Sequence, residues 1–164
     1  MANADSPYGF KPWGPLLSAF PFTKDASAAE SFINDVMMGE ADGGVAPATA
    51  GSVNVIGANL TYSAGSTAAT VMIANDPDQL YQAQEDGTVT GGVAGIHAVI
   101  DHIAGAGSSV TKLSGHELDS SDLNTTGGGF QLMDVVNRQD NTVAANAEWI
   151  CRANLHLSAV AGGV

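Results

Sequence analysis

Punctuation constrains this chain more than any other feature. From residue 51 onward the apolar or alternating runs are short: "SVNVIGANLTY", "AATVMIAN", "QLYQAQE", "IHAVIDHI", "FQLMDVVNR" and "AEWICRANLHL". Between them lie "SAGST", "NDPD", "EDGTVTGG", "AGAGSS" and "NTTGGG", whose Gly, Asn, Asp and Ser favour tight turns. Short runs at this spacing, with no long helical period, indicate a mainly β chain: an antiparallel β-sandwich or barrel, jelly-roll-like. Alternation is clearest in the last run. Trp149, Cys151, Ala153, Leu155 and Leu157 fall on one face, and Ile150, Arg152, Asn154 and His156 on the other. The expected core is Trp149, Cys151, Leu155, Leu132, Val135, Val71, Ile73 and Ile56.

The beginning of the chain departs from this pattern. "MANADSPYGFKPWGPLLSAFPF" holds four of the six prolines and five of the ten aromatic residues. Proline fixes φ, lacks an amide donor and pushes the preceding residue out of the helical region. At positions 7, 12, 15 and 21 it excludes a helix and any central strand. Tyr8, Phe10, Trp13, Leu16, Leu17, Phe20 and Phe22 cannot bury themselves within so extended a segment, yet a disordered tail would be poor in them. The expectation is an extended docking arm over residues 1–23, with these seven side chains as its partner-binding anchors. One β-rich domain over 24–164 follows. Its first stretch, "KDASAAESFINDVMM", reads two ways. Ser27 and Glu30 have capping-box spacing, with Phe32, Ile33, Val36 and Met37 on one helical face. The same residues running into "GEADGG" also read as a strand closed by a turn, which the β pattern downstream favours.

Charge excludes several partners. Five Lys and Arg face 17 Asp and Glu, a formal net charge of −12. Nucleic acid is not expected as a partner, because non-specific binding needs cations that displace phosphate counterions. Anionic membrane surfaces are disfavoured for the same reason. No basic leader or long apolar span is visible. Only 13% of residues are charged and 20 are glycine, so much of the surface is small and neutral-polar, a composition suited to contact with other protein chains.

No catalytic, cofactor or metal motif emerges. His97 and His102 are five apart, on opposite faces of a strand or about 140° apart on a helix, and neither HExxH nor CxxC occurs. "NDPDQLYQAQED" begins like a calcium loop but lacks its glycine and its twelfth-position glutamate. It reads as an Asx-Pro turn opening a strand. "SGHELDSSD" offers Ser, His, Glu and Asp without a nucleophile elbow. Cys151, flanked by apolar positions, reads as packing.

Three stretches together resemble small structural proteins encoded among the head genes of tailed bacteriophages, including capsid cement (decoration) proteins. They are "MANADSPYGFKPWG", "VMIANDPDQLYQAQEDG" and "LSGHELDSS…LMDVVNRQDNTVAANAEWICRANLHL". The C-terminal stretch is similar to the family pattern at Arg138, Asp140, Asn141, Asn146, Trp149, Arg152 and Asn154. It has Ala145 where the family tends to have glycine, which argues against an obligatory positive φ there. The resemblance implies a non-enzymatic virion protein, made in the host cytoplasm and placed on the capsid surface. Its implied partners are the major capsid protein and itself, as a homotrimer. A different reading is a virion-displayed module that binds a cell-surface glycan. Outside the arm such a site would draw on Phe32, Tyr62, Tyr81, Phe130 and Trp149, several of which belong in a core.

Overall fold

The computed structural model describes residues 3–52, 54–87, 95–124 and 127–158. Parts of the breaks "EDGTVTGG" and "NTTGGG" lie outside them. The described residues hold eleven strands and no α-helix. The strands are β1 (Lys11–Trp13), β2 (Ala19–Lys24), β3 (Val36–Gly39), β4 (Val45–Pro47), β5 (Val55–Asn59), β6 (Ala69–Ala74), β7 (Leu80–Gln84), β8 (Val99–Gly105), β9 (Gly115–Asn124), β10 (Phe130–Val135) and β11 (Glu148–Ala153). Six form an antiparallel open sheet in the order β1-β7-β11-β10-β8-β9. The other five close into a barrel, β2-β4-β3-β5-β6. Mainly antiparallel β architecture is what the punctuation requires, although an open sheet against a small barrel replaces the paired sheets of a jelly roll.

The main core lies between sheet and barrel. Phe130, Leu132, Tyr81, Trp149, Cys151, Ile100 and Leu118 face Val36, Val55, Ala58 and Ala74 of the barrel. A second cluster, Met37, Val45, Ile56, Val71 and Ile73, fills the barrel. All of β5 is buried because it lies between the two clusters. Gly57 is needed there: its φ is +146°, and a Cβ would run into the backbone of Ala74.

The docking-arm expectation needs correction. Two stretches of residues 1–23 are strands of this chain's own sheets: β1 pairs with β7 and β2 pairs with β6 over six residues. Proline permits this because both strands offer a free edge. Pro12 lies on the outermost strand of the open sheet, and β4 meets β2 only at Lys24, leaving Pro21 bonded on one side. Phe10 is no partner anchor. It is fully buried, stacked on Phe130 with ring centroids 4.3 Å apart. Gly9 admits it to the core with φ +78°, pressed against the Asn34 carbonyl and Ser114, where no side chain fits.

Two further readings change. The alternation of "AEWICRANLHL" ends with β11 at Ala153, and a bend follows. His156 therefore turns inward, its Nε2 2.7 Å from the Ile56 carbonyl, while Leu157 is exposed and Leu155 only half-buried. Val135 is likewise half-buried; the remaining six expected core residues are buried. Second, "GHELDSSDLN" is the longest strand, β9, although its polar residues show no alternation. Its pairing with β8 shifts between Ile100 and His102, where Asp119–Asp122 are accommodated. The stretch 24–38 contributes β3 rather than a capped helix.

Phe10→Ala is expected to cost about 3–5 kcal/mol of unfolding free energy. Phe20→Ala, at an exposed position, should cost within about 0.5 kcal/mol. Denaturant titration of the two variants checks the contrast, and equal effects would contradict the placement of Phe10.

Candidate functional site

The seven anchor residues separate into two groups. Phe10 is buried, and Tyr8 and Phe22 are half-buried, Phe22 against the barrel core. Trp13, Leu16, Leu17 and Phe20 are 39%, 49%, 51% and 55% exposed. Only Val110, Val143 and Leu157 join them as exposed large apolar residues among the described residues, so four of seven fall within eight consecutive positions. This ridge runs from the end of β1 on the open sheet to β2 on the barrel.

The ridge is held from below. The buried Gln79 side chain accepts the Leu17 amide at 2.9 Å and donates to the carbonyls of Trp13 (3.3 Å) and Leu80 (2.9 Å). Gly14 turns the chain with φ +74°, and Ser18 is hydrogen-bonded to Asn75. Fixing the backbone in advance lowers the entropy lost when a partner covers the side chains. Gln79 carries no signal in the sequence, because its role depends on two segments 62 and 66 positions away.

Residues 3–8 lie across the loop between β10 and β11. Asn3 donates to the carbonyls of Thr142 and Ala145 at 2.8 and 3.0 Å and accepts the Thr142 amide. Gln84 accepts from the Ser6 amide and donates to the carbonyls of Ala4 and Asn146. The positions that carry the family resemblance build this loop. Arg138 holds both Glu148 oxygens at 3.0 and 3.1 Å and also pairs with Asp140. The Asn141 amide group bridges Val136 and Glu148. Positive φ falls on Asn146, at +60°, one residue after Ala145. Arg152 bonds Gln131, and Asn154 bonds Gly128. Trp149 donates its indole N–H to the buried Glu85 carboxylate at 3.0 Å. These residues brace the loop and β11, while the N-terminal segment is held by the Asn3 and Gln84 side chains.

A buried polar seam lies behind Phe10. His102 and His116 stack with ring centroids 5.6 Å apart. Val36 N–H donates to His116 Nδ1, so the neutral ring carries its proton on Nε2, 3.6 Å from Asp35 Oδ1. Burial pushes His102 down to about 4 and His116 down to about 3, and pushes Asp35 up to about 6. Ser114, with its side chain bonded to Asp35, completes the group. The group draws Ser114 and His116 from the hydrolase-like stretch, yet all four side chains are buried and none faces solvent.

Other acidic groups serve turns. Asp76 accepts the Asp78 amide just before β7, as the Asx-Pro reading requires. Asp25, Glu40 and Asp42 bring three carboxylates within 4.8 Å of one another. Asp25 is already bonded to Ser27, and Asp42 to the Gly44 amide. Cys151 is wholly buried, and burial raises its thiol pKa, which suppresses the thiolate.

Comparison with protein-family models, curated proteins and solved structures finds no match to this chain.

Glu117 offers a test of the electrostatics. Burial, with Asp5 and Asp86 nearby, pushes its carboxyl up to about 7. The folded state then binds this proton more tightly than the unfolded chain, so the group's contribution to stability rises as pH falls from about 7 towards 4.5. The depressed His102 and His116 act oppositely, losing stability as pH falls from 6.5 towards their folded values. Glu117→Gln should therefore raise the Tm at pH 8, with the gain vanishing near pH 4.5. A gain that does not change with pH would contradict the buried carboxylate.

Proposed function

We propose that this chain is a virion structural protein of a tailed bacteriophage, a capsid cement protein that binds the assembled shell of major capsid protein and stabilises it. The observation that carries the reading is the ridge Trp13–Leu16–Leu17–Phe20, four exposed apolar side chains on a backbone fixed by Gln79. Isolated exposed apolar residues are ordinary, whereas a concentrated set marks a contact surface. Interface energy also concentrates in a few aromatic and large apolar anchors. The family resemblance supplies the identity of the partner. Asn3 and Gln84, which lie in stretches that carry the resemblance, hold the N-terminal segment against the domain, which fits a protein whose contact surface follows directly on that segment.

Composition supports the same reading. The net charge of −12 keeps free copies apart by mutual repulsion, while a low charged fraction leaves small polar surface for contact with neighbours. In this reading the protein is made in the host cytoplasm, takes its place on the capsid surface and associates as a homotrimer.

Shells assembled from the major capsid protein provide the test. The intact chain should co-sediment with them. Trp13→Ala with Leu17→Ala should weaken binding at least tenfold, about 1.4 kcal/mol, while leaving the Tm within a few degrees of the original. No binding to shells, or full binding by the double variant, would refute the proposal.

A further inference from the structure

The outer face of the open sheet carries a cleft separate from the apolar ridge. Its smaller lobe, about 380 Å³, lies under residues 3–8 beside Gln84 and Asn146, and every residue lining it except Ala4 has a polar side chain. The larger lobe, about 840 Å³, extends past Lys11 to Ser108 and Thr111. Both lobes share Ser6, Tyr8, Arg138 and Glu148, which join them into one cleft. These volumes are in the range of small-ligand sites.

The hydrogen-bonding capacity of the cleft is unbalanced. Glu148, the carboxylate shared by both lobes, is largely spent, because Arg138 and Gln82 already donate to it. Several donors remain. Lys11 is exposed and has no ion pair among the described residues. Ser108 and Thr111 each accept one backbone N–H through the side-chain oxygen and keep the hydroxyl proton to donate. The Tyr8 hydroxyl is buried against Glu148 and Gln82 and is not a free donor.

We propose that this cleft binds a saccharide unit bearing a single carboxylate, of the hexuronate or sialic-acid type. One free ammonium matches one carboxylate, and the hydroxyl donors match ring and hydroxyl oxygens. The polar smaller lobe suits a ligand covered in hydroxyl groups, and Pro7, Ile33 and Leu113 of the larger lobe suit the apolar face of a sugar ring. A peptide rich in Asp and Glu fits less well, because several carboxylates would meet Asp5, Asp140 and the chain's overall negative charge. The inference does not rest on shell binding, since the ridge and the cleft share no side chain.

The test is an array of acidic oligosaccharides printed with their carboxyl-reduced counterparts, probed with the full chain. Acidic members should be retained in preference to the reduced ones. Lys11→Ala should weaken that retention at least tenfold. Phe20→Ala, on the ridge, should bind the array as the parent chain does. No retention, equal retention of the reduced sugars, or undiminished binding by Lys11→Ala would overturn the proposal. Lys11 is exposed, so its loss leaves the fold intact, and shell co-sedimentation of the same variant keeps the two readings apart.

Discussion

Everything in this fold depends on the insertion of Phe10 between the open sheet and the barrel. The ring stacks on Phe130 and meets His102 edge-on at 6.1 Å. Immediately before it, Gly9 passes through a gap that admits no Cβ; immediately after it, the chain enters β1. Six residues after β1 ends, β2 begins on the barrel. One side chain thus anchors a segment that is hydrogen-bonded to both halves of the structure. Burial of a large aromatic contributes on the order of 2–3 kcal/mol, comparable to several hydrogen bonds. The exposed ridge between β1 and β2 is therefore the top of a spanning segment fixed at both ends.

The same insertion explains why polar groups are found so deep. His102, His116, Asp35 and Ser114 fill the space behind the ring, buried between the open sheet and the barrel. Each group is desolvated, and their shifted titration follows from that. A seam of this kind favours one arrangement of sheet against barrel, because sliding would part His116 of β9 from both the Asp35 carboxylate (3.6 Å) and the Val36 amide (3.3 Å).

How much of this was legible depended on whether a strand carried its own signal. β5 to β8, β10 and β11 lie within the apolar runs, since their side chains alternate or are buried on both faces. β9 was hidden, because Asp119, Ser120, Ser121 and Asp122 interrupt it and its pairing shifts there. β1 and β2 were hidden by Pro12 and Pro21, which rule out a central strand but not an edge. The inward turn of His156 depends on where β11 ends, and no residue type announces that. For the site, the apolar content of residues 13–20 was readable, but not which rings face outward. Gln79, Gln84 and Asn3 act across separations of 62 to 142 positions, beyond any local pattern.

The distribution of cations has a consequence for durability. Trypsin-like proteases cut after Lys and Arg, and this chain offers five such positions. Lys11 precedes proline, which blocks the cut. Lys24 is enclosed in the barrel, its ammonium bonded to the carbonyls of Ala29 and Ala64. Arg152 lies within β11, flanked by β7 and β10. Only Lys112 and Arg138 lie in loops, the first resting on the Tyr62 ring and the second tied to Glu148. Trypsin-like cleavage of the folded chain is therefore confined to these two loops, after Lys112 and after Arg138.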